Sequence, residues 1–163
     1  MRRISHHQII FGVEYVDWEG LGTVRIKWNK GVDERMSFKS YEMAYCSSIE
    51  HEHEIDLLWN GMRQAENLEN PMRQQGNKKL NEKRIHPTQK PKQLYKWILK
   101  NFAKEGNKIL DTHLGSGSIV IAIDDVNKFE KMNLTLTGSE IDKEYFEAMM
   151  KRVNNEISQS QLF

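Results

Sequence analysis

The amino-acid sequence predicts an α/β fold, because residues 107–139 follow the order strand, glycine turn, helix, strand. Lys108 to Asp111 is a short strand that leads into the glycine turn Thr112 to Ser118. Ile119 to Val126 is an apolar helix directly after the turn, and Leu134 to Gly138 is a second strand. This order describes a βαβ unit, whose two strands pair in parallel through a right-handed crossover.

Two further helices flank this unit. Apolar side chains recur at helical spacing after Pro91, and this helix is predicted to end near Gly106. Lys143 to Val153 is predicted to be an amphipathic helix. The helical spacing of the first helix comes from Leu94, Trp97, Ile98 and Phe102. The second helix is expected to carry Tyr145, Phe146, Met149 and Val153 toward the core.

The N-terminal part predicts strands rather than helices. Short apolar or alternating runs with β-branched and aromatic residues are typical of buried and half-buried strands. They cover Gln8 to Val13, Thr23 to Trp28, Tyr41 to Ser47 and Ile55 to Trp59, with a turn at Glu19 to Gly22. From Gly61 to Lys83 the chain is polar and lacks periodicity, which predicts a long loop that is either functional or mobile.

The composition limits the classes of protein that the chain can represent. Its 163 residues suit one compact domain, and the single cysteine, Cys46, excludes a disulfide framework or a cysteine-based zinc site. No apolar run approaches the roughly 20 residues of a membrane helix, and no apolar stretch follows the basic N-terminus, so we expect a cytoplasmic protein. His51 and His53 alternate with glutamates, which favours an exposed strand end, and no metal site is expected.

The net charge of +1 conceals an uneven distribution along the chain. The window from Trp59 to Lys108 holds twelve basic and four acidic side chains, whereas Asp111 to Phe163 holds nine acidic and five basic ones. A basic segment can neutralise the phosphates of a nucleic acid and release their counterions. It can equally be a solvated loop and helix surface, and charge alone favours that second interpretation.

The turn from Asp111 to Ser118 is the main candidate site, since ligands of such units lie at the carboxyl ends of the strands. Glycines let the backbone approach a ligand, and the following helix presents free N–H groups. The turn lacks the Gly-Lys-Ser/Thr of a phosphate loop and the full Gly-x-Gly-x-x-Gly fingerprint. On this motif alone, a purely structural turn is the commoner explanation.

Glu140, at the tip of the second strand, strengthens the case for a ligand. A carboxylate at that position can accept hydrogen bonds from ribose hydroxyls. Asp142 is better explained as a helix N-cap. The turn and Glu140 together favour an adenosine-containing cofactor, and these residues do not choose between NAD and S-adenosylmethionine.

Two sequence blocks resemble the amino-group DNA methyltransferases of the β circular order, which are phage and restriction-modification enzymes that methylate adenine N6 or cytosine N4. The first block is His86 to Pro91, followed by the glycine turn, and the second is Glu140 to Tyr145 with Arg152. After Asp111 the family commonly has Pro-Phe, whereas this chain has Thr112-His113, as in a phage-type subgroup. With weaker similarity in the N-terminal strands, the resemblance covers about residues 6–153.

The resemblance implies a three-layer, Rossmann-like methyltransferase fold, S-adenosyl-L-methionine as cofactor and double-stranded DNA as substrate, with adenine N6 favoured over cytosine N4. It implies that Glu140 binds the ribose and that Ile141 packs on the adenine. The methionine part would lie on Asp111, Thr112, His113, Gly115, Ser116 and Gly117, and its amino-acid end would be flanked by His86, Thr88, Gln89 and Lys90. Without the resemblance, Pro87 and Pro91 indicate a rigid loop before a helix, and Thr88 indicates a helix cap.

The motif that holds the flipped target base in this family is not found. Such enzymes extrude the base, and the family grips it with Asp/Asn/Ser-Pro-Pro followed by an aromatic residue. The prolines here are Pro71, Pro87 and Pro91, so no two are adjacent. We therefore expect the C-terminal portion of such an enzyme, weakly active or inactive alone. It would be a truncated product, one half of a split methyltransferase, or a non-catalytic remnant that binds DNA or a partner.

These expectations give an organisation for the single domain over residues 1–163. Residues 1–60 would be strands of the substrate half, 61–85 a polar basic loop in the place where the family has target recognition, and 86–163 the cofactor-binding half. Because one strand would be missing, the first strand of the βαβ unit should pair with the Gln8 strand or accept a strand from another chain. A homodimer or an upstream methyltransferase fragment is the expected partner.

Overall fold

The computed structural model describes residues 4–15, 21–32, 39–60 and 62–159. The chain divides into two compact units, residues 1–81 and 82–163, which are treated in turn below. Within the described ranges, no helix combines the length and the apolar character needed to cross a membrane.

The first unit is built on a four-stranded sheet with the order β1-β3-β2-β4. Its strands are β1 (Ile9–Phe11), β2 (Arg25–Asn29), β3 (Tyr41–Cys46) and β4 (His53–Asp56). The first three confirm predicted strands with shifted ends, whereas the strand predicted at Ile55 to Trp59 shares only Ile55 and Asp56 with β4. β3 is antiparallel to β1 and β2, whereas β2 and β4 run parallel. The first strand is shorter than predicted because Gly12 takes a positive φ of 75°, and a 3-10 turn follows at Val13–Tyr15.

Alternation along β2 places its apolar side chains in the core of this unit. Ile26 and Trp28 are buried, while Lys27 between them is exposed. The indole N–H of Trp28 donates to the carbonyl of Leu57 at 2.9 Å, which satisfies its polar group inside the core. The half-buried strand predicted here is confirmed. The turn predicted at Glu19 to Gly22 lies partly outside the described residues.

The polar loop after this sheet has more structure than the sequence predicts. β5 (Trp59–Asn60) pairs with β6 (Arg63–Gln64), and a bridge joins Ala65 to Gln74. A 3-10 turn at Lys78–Leu80 is capped by Asn77, whose side chain accepts from the amide of Lys79. Asparagine and glutamine side chains therefore supply local hydrogen bonds, which composition alone does not reveal.

The second unit contains the predicted βαβ arrangement. Its elements are α1 (Lys92–Phe102), β7 (Lys108–Asp111), α2 (Ser118–Glu130), β8 (Thr135–Gly138) and α3 (Lys143–Gln159). β7 and β8 are parallel, in the register Lys108 to Thr135 through Asp111 to Gly138. The βαβ prediction is confirmed, and the chain has an incomplete α/β fold.

Two helix ends differ from the prediction. α1 ends at Phe102 because Ala103 is already extended, and Gly106 lies in the following loop, where its amide donates to the carbonyl of Met132. α3 continues to Gln159 because apolar residues beyond Val153, such as Ile157, still pack on the core.

Two clusters of buried side chains form the core of the second unit. The first joins Leu99 of α1 to Val126 of α2 and to Leu134, and Ile109 of β7 and Leu136 of β8 pack against it. The second joins α2 to α3 through Ile121, Met149 and Val153. Leu114, from the glycine turn, packs against both clusters, so the core positions the turn directly.

The pairing of β7 corrects one expectation. Among the described strands, β7 pairs with β8 alone, and β1 pairs with β3, so β7 does not pair directly with the Gln8 strand. β1 belongs to the sheet of the first unit instead, where it pairs with β3 in an antiparallel register that runs from Ile9 opposite Cys46 to Phe11 opposite Ala44.

Candidate cofactor site

The carboxyl ends of β7 and β8 lie side by side at the glycine turn. The amide of Ser139 donates to the carbonyl of Asp111 at 3.0 Å, which continues the ladder by one residue beyond β8. The amide of Leu114 then donates to the carbonyl of Ser139, also at 3.0 Å. The turn is thereby held against the segment that carries Glu140, as the βαβ geometry requires.

Glu140 is tied to the backbone through both carboxylate oxygens. Oε1 accepts from the amide of Asp142 at 3.0 Å, and Oε2 accepts from the amide of Gly115 at 2.8 Å. Hydrogen bonds from these amides lower the pKa of Glu140 below its ordinary value, and the amide of Asp142 has the larger effect. The nearby His86 lowers this pKa further. The structure therefore brings Glu140 onto the turn, with its carboxylate stabilised in the charged form.

The side of the turn from Asp111 to Gly115, called the outer half below, is partly exposed. Asp111 Oδ1 accepts from the amide of His113 at 2.9 Å, and the hydroxyl of Thr112 lies 2.9 Å from His113 Nδ1. His113 itself is exposed. These polar side chains order the outer half while leaving it open to solvent.

The side from Ser116 to Ser118, called the inner half below, is buried. Ser116 and Ser118 are 5% and 2% exposed, and their hydroxyls lie 3.1 Å apart. Gly117 has a φ of +71°, and a Cβ there would lie 2.6 Å from Cγ of Met149. Glycine is thus required at this position by both the backbone and α3. Ser116 and Gly117 support the turn from within.

The segment from His86 to Lys90 divides in the same way. The His86 ring lies near Gly115, where a Cβ would be 3.6 Å from its Nδ1, and stacks edge-on against Tyr145 at 4.4 Å between centroids. Thr88 donates its amide to His86 Nδ1 at 3.3 Å. Gln89 is 5% exposed, and Lys90 is half-buried.

Two of these residues have local roles that the sequence did not predict. The side chain of Gln89 accepts from the amide of Ile85 at 2.9 Å and donates to the carbonyl of Lys83 at 3.3 Å, so it braces its own loop. Thr88 is not a helix cap, because Pro91 occupies the N-cap position of α1. The interpretation of Thr88 as a cap is wrong, and its hydroxyl lies 3.1 Å from His86 Nδ1 instead.

Ile141 is the most exposed large apolar side chain among the described residues, at 99%. It sits between Glu140 and Asp142, whose carboxylate accepts from the amide of Tyr145 at 3.0 Å and so caps α3. The N-cap predicted at Asp142 is confirmed. An isoleucine left in water beside a polar turn is available to pack against an apolar ring.

Glu82 is a residue near the site that the sequence does not reveal, because it stands as an isolated acid within the basic window. Glu82 and Arg152 form a buried ion pair, with 2.6 Å between Oε2 and Nη2. Burial raises the pKa of the Glu82 carboxyl, and the charges of Arg152 and Lys92 offset part of that rise. Arg152 belongs to the second sequence block, but no spacing rule links two residues 70 positions apart.

The ranges that the structure describes hold no group of three or more His, Cys, Asp or Glu side chains that could bind a metal ion. His53 lies on β4, in register with Ile26 of β2. At the glycine turn, the carboxylate of Glu140 and the ring of His86 both lie next to Gly115.

Two parallel strands joined by a glycine turn and a helix define an α/β unit, and Glu140 follows just after the second strand, at the edge where ligands of such units lie. A family model of DNA methylases, the N6 and N4 methyltransferases, matches residues 23–151. The chain belongs to this DNA methylase family. The match includes β2 to β8 and most of α3, but it starts after β1.

Individual relatives are more distant. The chain is 33% identical over 73 residues to the type II methyltransferase M.HpaI of Haemophilus parainfluenzae, which is 45% of this chain and 21% of that protein. It also resembles the crystal structure of M1.HpyAVI, with 17% identity and a TM-score of 0.48 over 91% of this chain and 72% of that one. For the crystal structure of the M1.HpyAVI–SAM complex, the identity is 22% and the TM-score is 0.46, over 80% of this chain and 60% of that one. The match thus spans about a fifth of M.HpaI, and family membership follows from the family model.

Proposed function

We propose that the second unit binds S-adenosyl-L-methionine at the outer half of the glycine turn. The observation that carries the proposal is the contact of Glu140 with Gly115, which places a charged carboxylate at the carboxyl end of β7, inside a DNA methylase. Family membership favours S-adenosylmethionine over NAD, two cofactors that the turn alone does not distinguish. One of the structures that the chain resembles, that of M1.HpyAVI, is a complex with SAM.

The residues present fit this cofactor. A carboxylate has about four acceptor sites, so Glu140 can accept from two backbone amides and still accept from ribose hydroxyls. Ile141, with 99% of its side chain exposed, offers an apolar surface to the adenine. The absence of a side chain at Gly115 leaves the space next to His86 open. When bound, the cofactor supplies an electrophilic methyl group, and these residues hold and orient its ends.

Titration calorimetry with S-adenosylmethionine tests this proposal. Glu140→Gln should weaken binding by about tenfold or more, because a charged acceptor of ribose hydroxyls becomes neutral. Glu147→Gln is the matched control, since it removes one exposed carboxylate from α3, where Glu147 pairs with Lys143 at 3.9 Å. If the two variants bound S-adenosylmethionine with equal affinity, the assignment of Glu140 to the cofactor site would be wrong.

We propose that the methyl group is transferred to an amino group of double-stranded DNA, with adenine N6 favoured over cytosine N4. The polar basic loop, residues 61–85, is the proposed contact with DNA phosphates. Its six cations are all exposed: Arg63, Arg73, Lys78, Lys79, Lys83 and Arg84. Arg73 pairs with Glu66 at 3.4 Å. The lysines of α1 pair within the second unit, where Lys92 contacts Glu156 and Lys96 contacts Asp125.

Salt dependence of DNA binding tests this interaction. The logarithm of the DNA-binding constant falls as the logarithm of the salt concentration rises. In Lys78→Ala/Lys79→Ala this fall should become less steep, by about 0.9 in the slope for each phosphate that is no longer neutralised. The control is Lys96→Ala/Lys100→Ala, which removes the same charge from α1, where both lysines pair with carboxylates. If the salt dependence became less steep by the same amount in both variants, net charge, and not this loop, would govern DNA binding.

We also propose that the chain alone transfers little or no methyl to DNA. No two of its prolines are adjacent, so these 163 residues lack the Pro-Pro motif that grips the target base in the family. A fragment that carries this motif would complete the site by pairing with the side of β7 that faces away from β8, a place that a second copy of this chain could occupy without supplying the motif. Methyl transfer is expected only after such a fragment is added, and transfer by the purified chain alone would contradict the proposal.

A further inference from the structure

The inner half of the glycine turn is held by a side chain from α3. Nη1 of Arg152 donates to the carbonyl of Ser116 at 2.7 Å and to the hydroxyl of Ser118 at 3.1 Å. Nη2 of the same guanidinium donates to Glu82 Oε2 at 2.6 Å. Both partners of this ion pair are more than nine-tenths buried. One rigid fork therefore joins the turn to a residue of a different loop.

Glu82 also caps α1. Its Oε1 accepts from the amide of Lys92, the first residue of α1, at 2.9 Å. Pro91 at the N-cap makes no side-chain hydrogen bond to the helix, so Glu82 supplies the acceptor from ten residues upstream. A carboxylate near this end of a helix is also favoured by the helix dipole.

The segment between these two anchor points is the loop that carries His86 to Lys90. Glu82 fixes its beginning, and the hydrogen bond to Lys92 fixes its end. Arg152 then connects the loop to Ser116 of the turn. His86 and Gly115, which face each other across the site, are thus carried by two segments that share one buried ion pair.

We propose that Arg152 and Glu82 act as a positioning pair that fixes the glycine turn relative to the His86 to Lys90 segment. Neither residue touches the reacting atoms, and both act through the backbone that they hold. This inference rests on the proposed binding of S-adenosylmethionine, because the two positioned segments are those that would meet the cofactor.

A single substitution cannot separate positioning from stability. Removing one partner leaves a buried charge and destabilises a protein whatever the role of the pair. Replacing both partners by well-packed hydrophobic residues of similar volume is often neutral or stabilising, because no buried charge is left unpaired. Glu82→Gln/Arg152→Met follows this logic, since glutamine keeps an oxygen for the amide of Lys92 and methionine keeps the apolar stem.

Two measurements on the full chain, well below its unfolding temperature, test the proposal. In the paired variant, titration with S-adenosylmethionine should show about tenfold weaker binding, while thermal unfolding changes little. Amide hydrogen exchange at Gly115 to Ser118 should become faster in the protein without ligand. The matched control is Lys96→Met/Asp125→Asn, which removes an ion pair between α1 and α2 that does not touch the turn.

The outcomes are distinguishable. A folded paired variant with native affinity and native exchange would overturn the proposal, because the pair would then serve stability alone. If the paired variant does not fold, Arg152→Lys keeps the charge but loses the planar fork, and its affinity should still fall, whereas native affinity would overturn the proposal. If the native chain itself shows no binding, the proposed function fails. Exchange at the turn then decides: faster exchange in the paired variant supports positioning, and unchanged exchange overturns it.

Discussion

The two halves of the glycine turn have opposite surroundings, although they are adjacent in the chain. The outer half, Asp111 to Gly115, is partly exposed and hydrogen-bonded to Glu140. The inner half, Ser116 to Ser118, is buried against α3 and tied to Arg152. The difference separates residues that could meet a ligand from residues that keep the turn in shape. A single sequence motif therefore contains two halves with different surroundings.

The largest expected effect is on the inner half, at Gly117. Gly117→Ala places a Cβ 2.6 Å from Met149 Cγ and 2.8 Å from Val153 Cγ2, at a φ of +71°. Overpacking and a left-handed backbone together should lower the free energy of unfolding by about 2–4 kcal/mol. Urea denaturation measures this change.

The matched control for Gly117 is Gly115→Ala in the outer half. Its φ of +52° carries similar backbone strain, but the nearest atom to a new Cβ is His86 Nδ1 at 3.6 Å, an ordinary van der Waals distance. The expected loss is about 1–2 kcal/mol, from the backbone alone. If both variants lost the same stability, the contrast between the halves would not hold.

A second contrast concerns pH. Because backbone amides lower the folded pKa of Glu140 below the ordinary 4.5, its contribution to stability is fully present above that value. It should be lost as the pH falls below 4.5 and through the lower folded pKa. At neutral pH the native protein should therefore have a larger free energy of unfolding than the Glu140→Gln variant, and this difference should become smaller in acid. Thermal unfolding of both proteins across this range gives the measurement, and a difference that grows in acid would reverse the expected sign.

The smallest expected effect on stability is at Ile141. With 99% of its side chain exposed, Ile141→Ser should change the free energy of unfolding by less than about 0.5 kcal/mol. Affinity for S-adenosylmethionine should fall by roughly tenfold, because burial of the side chain against adenine is removed. Phe129→Ser is the control, since Phe129 is also exposed, at 70%, but lies at the far end of α2. Unchanged affinity in the Ile141 variant would remove this residue from the site.

The outer half was accessible from sequence because its determinants are local. A strand, a glycine turn and a carboxylate after the next strand lie within about 30 residues, the size of a βαβ unit. The positions of Asp111, Gly115 and Glu140 followed from that order. The exposure of Ile141 and the cap at Asp142 also depend on neighbours within a few residues.

The inner half was not accessible in the same way. Glu82 and Arg152 are 70 positions apart, and nothing in the spacing of either residue points to the other. The same limit applies to the first unit, where β2 pairs in parallel with β4, although β3 comes between them in the chain. Such long-range pairing depends on tertiary packing rather than on local propensity.

The charge pattern along the chain has a similar explanation. The basic window and the acidic C-terminal part look like separate surfaces in sequence. In the second unit, Lys92 pairs with Glu156 and Lys100 with Glu130, so part of this asymmetry is neutralised inside the fold. Of the other basic side chains in this window, six lie in the polar basic loop, which is the proposed contact with phosphates.

The central claim, that the outer half of the glycine turn binds S-adenosylmethionine, is tested most directly by mapping backbone amide shifts during a titration with this cofactor. We expect concentration-dependent shifts at Asp111 to Gly115 and at Glu140 and Ile141, with smaller shifts at Ser116 to Ser118. Shifts confined to other parts of the chain, or no shifts at millimolar cofactor, would contradict the claim.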